Sequence, residues 1–536
     1  AVSGQIACHA ELAGSPERAL PFYTKAAEHA ARINAFHNAE MLYARAGPVA
    51  EQLGRPGDEI VELYSARSQM LENAGRHDAA IQVYRDLMSL ALERGDAAIE
   101  KAAIASLVSC YSDPKDAGDP ECAQPLIERG LLLAREFGDE DTESWLLWSK
   151  MVGALHYGTA DDAQMAGEAS LAIARKYGLQ ERLAYVLNDL ALSLRLAGDW
   201  ESGHVHAEEA RALFQEQGNK PMLADNLSQQ AWIDHLRLDF DSAFQHAEQS
   251  AKVSREAESG WNLSMAILIQ GLIRTATGDW GVALADLEES IRLGEKAGFV
   301  IAMTLMPSEL GRLLRAIGQG EQATALHEGA HAVSLERAPF LLRAIESQLA
   351  MDAYAAGKVE EGQRWLQSVQ AREPRGEIGT AWLVLADPAI AAVRAAECTG
   401  SWDLALEMVL DAIQEARRRD LPFYLPLLLL EHGRSLEGLE RIPEAEAMYC
   451  EALALARQSG LLPVQWRSHA ALARLYQVQG STAEASTELQ EAAVLIESLA
   501  NSLPDSNLRD GFHRTPAVQS VLAPYRSTAG MRYLPK

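Results

Sequence analysis

The chain has 536 residues, 48% of them hydrophobic, and its 48 Lys and Arg stand against 75 Asp and Glu for a formal net charge of −27. A polyanion is repelled by nucleic acid and by anionic lipid, so neither is expected as a general partner. No apolar run approaches the roughly 18 residues a membrane helix needs, and the five cysteines, an odd number without a C-x-x-C pair, support neither a disulfide framework nor a cysteine zinc site. A cytoplasmic protein is expected. No secretory leader is visible at Ala1, and the missing initiator Met fits a fragment of a longer protein.

In chain order, residues 4–13 and 17–33 read as a helical hairpin around the turn Gly14-Ser15-Pro16, with Ala19, Tyr23 and Ala26 on its packing face. Residues 35–53 add a helix that ends at Gly54-Arg55-Pro56-Gly57, closing an irregular opening segment, 1–57. Segment 58–139 follows, with helices at 58–74 and 77–94 joined at Gly75, then 97–111 and 121–137 separated by the polar loop 112–120, whose Pro and Gly residues forbid helix continuation. From 140 to 499 the pattern becomes regular. Residues 500–536 form an expected capping segment, with a loosely ordered tail from Ala523.

The regular part is built on one unit, clearest at residues 184–210. Leu187, Leu190, Ala191, Leu194 and Ala197 line one helix face at three- and four-residue steps. Gly198 then accepts the left-handed conformation that ends a helix, and Asp199 caps the next one. The corresponding turn positions are Gly158, Gly198, Leu238, Gly278, Gly318, Gly357, Gly400, Glu440 and Gly480, at spacings of 40, 40, 40, 40, 39, 43, 40 and 40. The break Glu373-Pro374-Arg375-Gly376 accounts for the 43. Aromatic residues recur two positions after the turn at Trp200, Phe240, Trp280 and Trp402. Small residues recur five after it, from Gly203 and Ala243 to Ala445 and Ala485, letting two helix backbones approach closely. A period held this tightly predicts an all-α, right-handed superhelical solenoid of antiparallel helix hairpins, about 40 residues each.

These hairpins resemble tetratricopeptide repeats. The best match is Leu472-Ala473, Tyr476, Gly480, Ala485, Leu489 and Ala492, followed by Gly433, Leu436, Ala445, Tyr449 and Ala452. Ser250, Ser290 and Val369 depart from the family's third alanine. The opening IACHAELAGSPERALPFYTKAAEHAARINAFHNAEMLYARA and the ending SLPDSNLRDGFHRTPAV resemble the flanks of the repeat arm in large bacterial signal-transducing ATPases. That resemblance implies a sensor arm, which binds an inducer or protein partner and controls an ATPase module. The chain itself carries no G-x-x-x-x-G-K-[ST] loop, and no helix-turn-helix is apparent.

In such a solenoid the first helix of each hairpin lines the concave face. Counting six back from each turn gives a row that is apolar first, Val152, Leu192, Trp232 and Leu272, and later holds four arginines and one methionine, Arg312, Met351, Arg394, Arg434 and Arg474. Trp145, Trp148 and Leu155 reinforce the first half, and Arg315 and Arg467 adjoin the second. The candidate groove is therefore Trp145, Trp148, Leu192, Trp232, Leu272, Arg312, Arg315, Arg394, Arg434 and Arg474, taking a protein, a peptide or a small inducer; guanidinium forks suit carboxylates and phosphates. The competing possibility is that the arginines bridge Glu431 and Glu437 within the wall and the tryptophans fill core.

One catalytic pattern stands out. His327-Glu328-Gly329-Ala330-His331 matches H-E-x-x-H, in which two histidines one turn apart bind zinc and the glutamate acts as base, with Glu346 or Glu336 as a third ligand. It falls inside the second helix of a regular unit, so a zinc hydrolase is the weaker expectation. His204 and His206 point roughly 200° apart on a helix and cannot share a metal. A non-enzymatic binding module with no cofactor or metal is expected, either as a sensor arm or as a free-standing adaptor.

Overall fold

The computed structural model describes residues 2–33, 35–74, 76–112, 120–372 and 377–532. The predicted turn at Gly75, residues 113–119 of the polar loop and the 373–376 break lie outside them. The fold is all-α, with 27 α-helices and three short 3-10 segments among the described residues, packed in sequence as antiparallel hairpins of tetratricopeptide-like type.

The turn register predicted from the period holds at its least obvious members. Leu238 and Glu440, which stand where other units have glycine, adopt φ of 66° and 60°, matching Gly278 at 96° and Gly480 at 79°. A second left-handed series, between hairpins, went unnoticed in the sequence: Gly138, Gly178, Gly218, Glu258 and Gly298. For an L-residue this conformation costs about 1–2 kcal/mol. Glu440 is exposed, so Glu440→Gly removes that strain at an unfolded-state entropy cost of about 0.4–1 kcal/mol. The expected net result is a gain of about 0.5–1 kcal/mol in chemical denaturation.

The small residues do what their spacing suggested. A Cβ on Gly203 would lie 2.5 Å from Arg195 Cγ and 2.8 Å from the Ala191 carbonyl, and one on Gly362 would lie 2.6 Å from the Tyr354 ring. The serines that replace the third alanine have their own purpose. Ser250 Oγ lies 2.8 Å from Ser228 Oγ and donates to the Ala224 carbonyl, and Ser264 Oγ donates to the Ser290 carbonyl at 2.7 Å. The Ser250 hydroxyl thus ties the two helices of its hairpin together, which an alanine cannot do, whereas the Ser290 hydroxyl turns to the Leu287 carbonyl of its own helix.

The chain divides into two compact units, Ala1–Gly153 with Met165–Leu183, and Ala154–Gln164 with Ala184–Lys536. In the first, one core gathers Ala19, Tyr23, Tyr43, Val49, Ile60 and Leu87, and another gathers Ile104, Leu107, Val108, Leu131, Leu133 and Leu146.

The second unit curls tightly enough that hairpins far apart in sequence meet. Trp280 N–H donates to Ser502 Oγ at 3.1 Å across 222 residues, and Arg237 pairs with Asp420 at 2.7 Å across 183 residues. Both separations are roughly five of the 40-residue units. Trp280 packs edge-on against Phe512 at 5.1 Å, and a Cβ on Gly281 would lie 2.2 Å from the Ser502 carbonyl. One core therefore joins Leu268, Trp280, Leu287, Met306 and Leu313 to Trp466, Leu489, Leu499 and Phe512.

The C-terminal segment corrects an expectation. Ser506–Arg514 is a helix capped by the Asp505 side chain, and Pro516–Arg532 is helical throughout rather than loose from Ala523. Val518, Val521 and Leu522 bury at three- and four-residue steps and draw it onto the same core.

Candidate functional site

The first helices of several hairpins in the second unit carry a band of charge that pairs within itself. From the helix Leu305–Ala316, Arg312 reaches both oxygens of Asp387 at 2.8 Å, and Gln348 donates to the same carboxylate at 2.7 Å. Asp387 belongs to Glu377–Thr399, so this pair spans 75 residues. Arg315 donates to Asp352 and to Gln348 Oε1, both at 2.6 Å. Arg394 donates to Glu431 at 2.6 Å and Glu397 at 2.7 Å, and Arg434 pairs with the same two carboxylates at 3.5 and 3.4 Å. Arg474 makes a two-pronged contact with Glu437 at 3.0 and 2.7 Å, and Tyr449 OH also donates to Glu437.

Arg312, Arg315, Arg394, Arg434 and Arg474 thus all have carboxylate partners, which was the competing possibility. Glu431 and Glu437 had been foreseen in that role. Asp352, Asp387 and Glu397 had not, although Asp387 stands seven residues before Arg394, two helical turns along one face.

The apolar half of the row divides between the units. Trp145 and Trp148 belong to the first, where their rings stack at 4.4 Å. Arg182 covers Trp145 at 4.5 Å while holding both oxygens of Asp141 at 3.0 Å. Leu192, Trp232 and Leu272 belong to the second. Leu192 is half-buried, Leu272 is core, and Trp232 is half-buried and packs against the same core.

The zinc motif is taken apart by its surroundings. His327 is fully buried, with Nδ1 2.6 Å from Asp352 Oδ2 and Nε2 3.1 Å from the Ser308 carbonyl. Gly311 makes room for the ring, since a Cβ there would lie 2.6 Å from Nε2. His331 turns instead to Glu346, at 3.3 Å, and packs edge-on to Trp365, while Arg372 and Ser368 hold Glu346 as well. Glu328, the general base of the motif, is exposed. The two imidazoles serve different carboxylates, and among the described residues no group of three or more His, Cys, Asp or Glu is placed to hold a metal ion.

The ion pairs tune acidity in both directions. Burial opposes ionisation of Asp352, but the His327 hydrogen bond and the Arg315 charge outweigh it and lower the pKa. At Glu437 burial is likewise outweighed by Arg474. At Glu309 burial wins and raises the pKa. Glu415, held by Arg418 and then Arg419, falls from 4.5 to about 2. A carboxyl with a lowered folded pKa contributes stability above its unfolded pKa and loses it as pH falls through the folded one. Glu415 is therefore expected to lose its contribution between pH 4.5 and about 2, with Asp352 and Glu437 losing theirs below their own unfolded values. Glu309 acts in the opposite sense. In an acid titration followed by circular dichroism, Glu415→Gln should flatten the loss over that interval.

The fold defines the class: a tetratricopeptide-like α-solenoid. No family model and no curated protein matches the chain. Among solved structures the chain is similar to BtubC (BKLC) from P. vanneervenii, at 20% identity over 42% of this chain and 90% of that one, with a TM-score of 0.33. It is also similar to yeast Tom70, at 14% identity over 89% of this chain and 97% of that one, again with a TM-score of 0.33. Among the described residues no helix is long and apolar enough to cross a membrane.

Proposed function

We propose that the protein is a non-enzymatic repeat scaffold that binds an acidic segment of a protein or peptide partner, and that it serves as the regulatory arm of a larger signalling ATPase. The observation that carries the binding assignment is the Arg474–Glu437 pair. Arg474 keeps about half of its side chain exposed, at 49%, while it grips Glu437 with two hydrogen bonds. An ion pair near solvent contributes only about 0–1 kcal/mol, so an incoming carboxylate can replace Glu437 at small cost. Arg394 and Arg434, with side chains 25% and 19% exposed, continue the basic stripe behind it.

The regulatory part rests on the resemblance at the two ends of the chain. A partner that favours one curvature of the repeats over another shifts the parent between resting and active states through differential affinity. A fluorescent peptide carrying four consecutive glutamates is the probe. Saturable binding that Arg474→Glu weakens at least about tenfold supports the site, since charge-assisted bonds contribute roughly 1.5–3 kcal/mol. Equal binding by both proteins removes it. A reading frame that continues into a P-loop ATPase supports the arm; a frame without one leaves a free-standing adaptor.

A further inference from the structure

We propose that Arg467 anchors a binding site for a small free oxyanion, phosphate or carboxylate in class, on the inward face of the second unit. Each of its neighbours Arg315, Arg394 and Arg434 has a carboxylate partner. Arg467 differs. Among the described residues no hydrogen bond or ion pair is made to its half-buried guanidinium, whose contact is the Trp466 ring, 5.5 Å from Cζ. Trp466 is 4% exposed, and its indole N–H has no acceptor among the described residues either. A charged fork and a neutral N–H, both without acceptors, stand side by side.

That combination is costly for a folded protein unless something satisfies it. A guanidinium offers five N–H donors in one plane and no acceptor, and here it is half-buried, so part of its solvation is lost without a protein acceptor to replace it. Burial first, and then the charges of Arg434, Arg394 and Arg315, pull the pKa of Arg467 down from 12.5 to about 10. Arg467 is thus the arginine of this cluster left without a carboxylate of its own. An oxyanion supplies what is missing, because its two oxygens match the guanidinium fork and its charge offsets the excess. The site is independent of the partner contact at Arg474, which lies seven residues, or two turns, further along the helix Leu462–Gln479. A small ion suits it better than a peptide, since Arg467 stands against core while Arg474 stands at the exposed end of the stripe.

Calorimetric titration of the full chain with inorganic phosphate, and separately with succinate, at constant ionic strength tests the proposal. Saturable binding of one anion is expected, weakened at least about tenfold in Arg467→Ala and unchanged in Arg292→Ala, an exposed arginine outside the site; whichever anion binds identifies the group recognised. No saturable binding of either anion, or equal affinity in the wild type and Arg467→Ala, overturns it. Arg467→Met guards against misfolding. It is expected to melt no lower than the wild type in anion-free buffer, and a clear drop would show that the guanidinium already has a structural partner, which also overturns the proposal.

Discussion

Trp280→Ala is expected to destabilise the second unit by about 3–5 kcal/mol, the range for removing a large buried aromatic. The indole is 2% exposed, donates to the Thr275 carbonyl at 3.1 Å and packs edge-on against Phe512. In a simple solenoid each hairpin touches only its neighbours, and an aromatic two residues past a turn would matter locally. Here its neighbourhood extends to Leu499, Leu503 and Phe512 in the same core. The loss should therefore be accompanied by faster amide exchange in Thr482–Ser502 and Ser506–Arg514, more than 200 residues away in sequence. A cost below about 1 kcal/mol, with exchange altered only around Trp280, would show that the distant hairpins do not meet there.

Asp352→Ala is expected to be as damaging, at about 3–5 kcal/mol, because it leaves the fully buried His327 Nδ1 without its partner and takes the carboxylate from Arg315, which keeps only Gln348. Asp352 is 6% exposed and serves Arg315 through one oxygen and His327 through the other. Asp352→Asn keeps the shape while discarding the charge, and should recover part of the loss. Urea denaturation followed by circular dichroism measures both. If the two variants unfold like the wild type, His327 is not held by this carboxylate, and the account of the H-E-x-x-H motif as structural fails with it.

The hairpin plan was legible because it is local. A turn every 40 residues, a small residue five later and an apolar face at helical steps are each written within one unit, so even Leu238 and Glu440 could be placed as turn residues. The meeting of distant hairpins was not. Whether Trp280 reaches Phe512 depends on small rotations accumulated over about five repeats, and no single unit encodes that sum. The row was chosen by register, and five of its arginines or their neighbours pair with carboxylates of the second unit. Of their carboxylate partners, Glu431 and Glu437 were anticipated, whereas Asp352 and Asp387 escaped notice because they sit on other helices, as Asp387 does for Arg312. The C-terminal helix was hidden for a different reason: Pro524 lies inside it and suggested a break, whereas burial of Val521 and Leu522 favours continuation.

Helices of the second unit that are distant in sequence approach closely enough for their charges to neutralise one another, most directly in the Arg312–Asp387 pair, 75 residues apart. A double-mutant cycle with Arg312→Met, Asp387→Leu and the combined variant measures their coupling. Each single replacement should be strongly destabilising, with the double variant recovering toward the wild type and a coupling of about 2–3 kcal/mol. Additive losses, with no coupling beyond about 0.5 kcal/mol, would contradict it.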